Sequence, residues 1–126
     1  MFYKLINLIK LNLKYKKKFF FHKINKKEMV ILKILIKYNI IKFIQKTQKN
    51  NFIIFLNYKN NNNVFELTNL YRPSFKQLIS IDEINKITKK KNSIFILSSS
   101  KGILTNIEAL IKKVGGILVL KLSLKN

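Results

Sequence analysis

The chain contains no cysteine and no tryptophan. Disulfides and cysteine-held metal sites are therefore excluded. Other residue types are nearly absent: one proline (Pro73), one alanine (Ala109), one arginine (Arg72), one histidine (His22), and glycine only at 102, 115 and 116. Acids number 5 against 26 Lys plus Arg. No apolar run reaches the roughly 18 residues that a membrane span needs. Lys33, Lys37 and Lys42 interrupt the longest candidate. Residues 1–14 lack a small-residue cleavage pattern and the Arg- and Ser-rich character of a transit segment. The expectation is that the mature chain starts at Met1 and is made in the compartment where it works.

These shortages bear on chemistry. His22 falls in a predicted strand with no carboxylate near it in sequence. Ser99 has no evident base, so a serine nucleophile is not supported. Asp82 and Glu83 are adjacent carboxylates, but helix capping accounts for them. Ser100-Lys101-Gly102 lacks the glycine spacing of a phosphate-binding loop. The expectation is no catalytic residue, no metal site, no cofactor and no small-molecule substrate: not an enzyme.

Lysine, isoleucine, asparagine, phenylalanine and leucine dominate what is present. Hydrophobic residues make up 48% of 126 residues, enough for one ordinary domain or two small ones. The formal net charge is +21. A compact body this basic repels itself and calls for a polyanion, either nucleic acid or an anionic membrane surface. The scarce residue types have GC-rich codons, so the composition indicates an AT-rich genome. Arg72, Pro73, Gly102, Ala109, Gly115 and Gly116 survive that bias, and they mark positions where physics insists on the residue.

Helical spacing places Leu5, Ile6, Ile9 and Leu13 on one face. A basic link, 14–18, leads to a short strand at 19–22. Asn25 followed by Glu28 marks a helix start, and Asn39 marks its left-handed stop. Strands are expected at 40–47, 52–58 and 64–67. Pro73 breaks the chain, so the expected domains are 1–70 and 71–126. In the second, Ser80 with Glu83 and Thr105 with Glu108 open two capped helices. Residues 94–97 read as a strand buried on both faces, 98–102 as a polar loop, 115–116 as a turn, and 117–122 as a last strand. The expected fold class is α+β, with two small domains: an N-terminal α-β-α-β-β and a C-terminal mixed β domain with short helices. Four acids, Glu28, Asp82, Glu83 and Glu108, fall in first turns of predicted helices, which leaves the remaining surface almost uniformly positive.

The loop Ser98-Ser99-Ser100-Lys101-Gly102 follows a buried strand and precedes a capped helix. Short hydroxyl side chains can approach the shallow minor groove of RNA, where 2′-hydroxyls and base edges are exposed. Lys101 suits a phosphate, and Gly102 admits close approach of the backbone. The lysine clusters 14–18, 23–27 (with Lys26 and Lys27) and 89–91 suit further phosphates.

Two blocks resemble the small-subunit ribosomal protein S-eight family of bacterial and organellar type. Arg72-Pro73-Ser74-Phe75-Lys76 is similar to the family's arginine-proline-glycine segment. Residues 98–105, with Glu108-Ala109 and Gly115-Gly116, are similar to its serine-threonine-serine-lysine-glycine signature and following diglycine. Ser74, Leu78 and Ile117 depart from the family's usual glycine, aromatic residue and glutamate. The resemblance implies a protein that binds the central domain of small-subunit rRNA and supports its assembly. It makes 98–102 the reading loop and Lys76 a basic contact, with Arg72 opening the same domain. It also implies neighbouring ribosomal proteins such as S-five, and no membrane. Base composition and the missing targeting signal give the expectation of an organellar ribosome, and near-bacterial length and motif favour a reduced apicoplast-like plastid before a mitochondrion. A nonspecific nucleoid or membrane-surface protein, held by lysine charge and the amphipathic first helix, is the alternative.

Overall fold

The computed structural model describes residues 2–48, 51–58, 65–71, 74, 76–90 and 93–124. The architecture is α+β, with four helices and two antiparallel sheets among the described residues. The chain divides into two compact units, Met1–Phe65 and Glu66–Asn126.

The first unit runs α1 (Phe2–Lys14), β1 (Phe19–Lys23), α2 (Lys26–Lys37), β2 (Ile41–Gln48) and β3 (Asn51–Leu56). Its sheet has the order β1-β3-β2. Leu5, Ile6, Ile9 and Leu13 are all buried along α1, as their spacing predicts. Ile31, Leu32, Ile34 and Leu35 are buried on α2, and Phe20, Ile54 and Leu56 are buried in the sheet. Removing each such side chain from water stabilises the fold by about 1.5–3 kcal/mol.

Asn25 caps α2. Its side chain accepts the Glu28 N–H at 2.8 Å, and the Asn25 N–H donates to Glu28 Oε1 at 3.2 Å. Asn39 follows at φ 63°. Glu28 is buried, and its second carboxylate oxygen lies 3.3 Å from His22 Nε2. The isolated histidine expected from sequence thus has a carboxylate partner, brought to it by α2. Tyr58 donates to the Lys17 carbonyl at 2.5 Å and ties the segment after β3 to the basic link. Burial raises its hydroxyl above the ordinary 10.0, so it stays a proton donor.

The second unit contains β4 (Phe65–Asn69), β5 (Leu78–Ile79), α3 (Ile81–Lys89), β6 (Ser93–Ser99), β7 (Gly102–Thr105), α4 (Asn106–Lys112) and β8 (Gly116–Leu124). Its sheet has the order β4-β8-β6-β7, and β5 also pairs with β8. The strand expected at 64–67 is described over Phe65–Asn69, where it pairs with β8 in this sheet, and residue 64 lies outside the described residues. Strand β5 gives no sequence signal because two residues cannot display an alternation.

Ile96 and Leu97 of β6 are both fully buried, and consecutive strand residues point to opposite faces. Leu97, Leu104, Ile79, Ile84 and Ala109 form one apolar cluster under α3 and α4. Asn106 is buried beside it. Its amide donates to Thr88 Oγ1 at 2.9 Å, Thr88 donates to the Ile84 carbonyl at 2.7 Å, and Asn106 Oδ1 accepts the Phe95 N–H at 3.3 Å. This one side chain links α3, β6 and α4. Asn106→Ala strands the Phe95 amide, so a loss of about 2 kcal/mol is expected in urea unfolding.

Candidate nucleic-acid interface

The segment 98–102 is not the loop that its composition predicts but the end of a β-hairpin. Strands β6 and β7 pair antiparallel with Ile96 opposite Thr105, Leu97 opposite Leu104, Ser98 opposite Ile103 and Ser99 opposite Gly102. Only Ser100 and Lys101 lie in the turn. Neither has positive φ, whereas Gly102 sits at φ +106°. This matches the hairpin pattern in which a glycine of positive φ follows the turn. A Cβ at Gly102 would meet nothing within 4 Å. Glycine is therefore required by backbone conformation and not, within the chain, by close approach.

Ser99 holds the turn together. Its hydroxyl donates to the Gly102 carbonyl at 2.9 Å and accepts the Lys101 N–H at 3.2 Å. Ser98 and Ser99 are half-buried, while Ser100, Lys101 and Gly102 are exposed. The groups that face solvent are thus the Ser100 hydroxyl and the Lys101 ammonium.

The hairpin is rooted on both sides. Beyond β7, the Thr105 hydroxyl accepts the Glu108 N–H at 3.2 Å, and the Thr105 N–H donates to Glu108 Oε1 at 3.3 Å, which starts α4. On the other side β8 pairs along β6, with Ser98 opposite Ile117. The two glycines before Ile117 do not form the turn predicted for them. The left-handed position is Lys113, at φ 56°. Gly115 and Gly116 are needed because other backbones press against them. A Cβ on Gly115 would lie 2.5 Å from the Ile79 carbonyl oxygen, and one on Gly116 would collide with the Ser98 carbonyl oxygen. The diglycine therefore sets the position of the first serine of the hairpin.

Lys26 and Lys27 are exposed in the first turn of α2, and Lys76 is exposed just before β5. Arg72 lies outside the described residues, as do Pro73 and Phe75. Glu28, Asp82, Glu83 and Glu108 occupy first turns of helices, and each of the three capping boxes is closed by a glutamate. Among the described residues the only ion pair is His22 with Glu28, so no described lysine is paired with an acid. Groups of three or more metal-ligating side chains are absent among the described residues, and no described helix is long and apolar enough to cross a membrane.

Sequence patterns missed one positioning residue, Asn106, and marked Gly116 without its structural reason. Asn106 is hidden inside a capping sequence that explains it superficially. Gly116 resembles a turn signal until β8 is paired with β6.

No curated protein sequence matches this chain. The family model described as Ribosomal protein S8 matches residues 4–122, nearly the whole chain. Its span takes in both units, the hairpin, the capped α4 and the diglycine, and the chain therefore belongs to the ribosomal protein S8 family, proteins of the small ribosomal subunit.

Proposed function

We propose that this protein binds the central domain of small-subunit rRNA directly and supports assembly of that domain. One observation carries the reading: an exposed serine-lysine turn, at the end of the β6–β7 hairpin, on a chain whose described lysines lack acidic partners. Ser100 offers a short donor and acceptor to the shallow minor groove, and Lys101 reaches an adjacent phosphate. Ser98 and Ser99 shape the turn, and Gly102 closes it. Lys26, Lys27, Lys76 and Arg72 contact backbone phosphates, which fix register without reading sequence. Binding one rRNA fold better than its competitors stabilises that fold, because only differential affinity shifts an equilibrium. Membership of the family supports further contacts with neighbouring ribosomal proteins, and S-five is the neighbour we propose. The scarcity of residues with GC-rich codons supports an organellar ribosome, in a reduced plastid before a mitochondrion.

Ser100→Ala combined with Lys101→Ala is expected to weaken binding to a central-domain rRNA fragment by about ten- to a hundredfold. Filter binding at fixed salt measures it, and unchanged affinity would remove the hairpin from the reading surface. Competition separates this reading from charge alone. Duplex DNA or anionic vesicles in excess would displace a nonspecific binder as readily as rRNA does, and here they are expected not to.

A further inference from the structure

The first unit's sheet shows one face to its helices and the other to solvent. Strand residues alternate between faces, so Phe20, which is buried, points away from Phe19 and Phe21. Phe19 is 47% exposed, Phe21 67% and Phe43 44%. Cross-strand pairing sets Phe55, on the central strand, opposite both Phe19 and Phe43. The rings form a continuous row. Phe43 stacks on Phe55 at 4.2 Å and 22°, Phe19 meets Phe55 at 5.6 Å, and Phe21 meets Phe19 edge-on at 5.9 Å and 84°. Four phenyl rings thus cross all three strands on a face that no helix of the unit covers. Exposed aromatic surface of this extent marks a binding site.

Its surroundings select the partner. Strands β1, β2 and β3 contain no aspartate or glutamate. Lys18, Lys23, Lys42 and Lys46 on or beside them are all exposed. Lys23 shares the phenylalanine face by alternation, and Gln45, opposite Ile53, adds a hydrogen-bonding amide there. An apolar protein surface would gain nothing from this basic rim. An extended polyanion with flat apolar rings fits both parts, since bases stack on phenyl faces while ammonium groups hold the phosphates.

We infer that this phenylalanine face is a stacking platform for unpaired nucleotides of RNA, separate in sequence and chemistry from the hairpin. The inference rests on the reading of the chain as an rRNA-binding protein and adds a second class of target within that RNA, single-stranded segments beside the helix.

The test uses the full chain and a short oligouridine carrying one 2-aminopurine, with the central-domain fragment in parallel. Phe19→Thr, Phe21→Thr and Phe43→Thr together keep strand-forming residues and every charge. This variant is expected to lose about a hundredfold in affinity for the oligonucleotide, since each stacked base contributes about 1–3 kcal/mol. The quenching of 2-aminopurine should disappear while the salt dependence of binding stays the same. Phe21→Thr alone, at the most exposed ring, is expected to lose about fivefold and keeps the test decisive if the triple variant folds poorly. Oligonucleotide binding and quenching unchanged in a folded variant would overturn the platform while leaving the hairpin reading intact. Unchanged RNA binding with failure to enter reconstituted small subunits would overturn it in favour of a protein partner. Wild-type chain that binds neither RNA would sink the rRNA reading itself.

Discussion

Raising salt from 50 to 200 mM is expected to weaken binding to small-subunit rRNA by about a thousandfold. The effect follows from counterion release. Each phosphate neutralised by a lysine frees condensed cations, and the slope of log affinity against log salt scales with the number neutralised. The chain has 26 basic residues and a net charge of +21. Of the five acids, four sit in first turns of helices, where one of them, Glu28, is also held by His22, and only Glu66 lies exposed on a strand. About six phosphate contacts, fewer than a quarter of the available cations, suffice for the predicted fall. Titration at several salt concentrations gives the slope directly. A slope near zero would mean that lysines do not hold the RNA backbone.

The second large effect is on folding. Gly116→Ala is expected to destabilise the second unit by about 3 kcal/mol, on the order of 15 °C in thermal midpoint. The added methyl would strike the Ser98 carbonyl oxygen and also meet Leu97 Cδ1 at 3.1 Å. Neither neighbour yields easily. Ser98 is held in the ladder between β8 and β7, and Leu97 is fully buried in the core cluster. Strand β6 must shift, and the serine end of the hairpin shifts with it. Stability and rRNA affinity should therefore fall together in this variant. Gly102→Ala offers a contrast, because a Cβ there meets no neighbour and the cost comes only from the left-handed φ, about 1–3 kcal/mol. Calorimetry of both variants checks the difference, and wild-type stability in Gly116→Ala would contradict the crowded approach of β6 and β8.

Sequence alone made the helices legible, because their ends carry chemistry. Asn25 with Glu28, Ser80 with Glu83, and Thr105 with Glu108 all form capping boxes in the structure. The buried stripe of α1 was legible from spacing. Four of the six residues that survive the compositional bias have a physical reason to do so: Gly102 its φ, Gly115 and Gly116 their neighbours' backbones, and Ala109 full burial in the core cluster. Arg72 and Pro73 lie outside the described residues.

What sequence could not show is pairing. Strand β7 has four residues, two of them apolar, which is too short for a period to emerge. Ser98–Gly102 therefore looked like a loop until β7 closed it into a hairpin. The placement of β4 beside β8 joins residues far apart in the chain, and no local pattern encodes it. The phenylalanine row escaped for the same reason. Phe19, Phe43 and Phe55 become neighbours only through the register of three strands.

The absence of native cysteine makes one measurement especially direct. Ser100→Cys gives a single thiol at the exposed turn, to which a chelated iron can be tethered, and hydroxyl radicals from it cut RNA within a short radius. Cleavage confined to one helix of the small-subunit central domain, on the strands that flank its minor groove, is the expected result. Dispersed cleavage across the rRNA, or equal cleavage of duplex DNA, would show that the hairpin does not read the RNA.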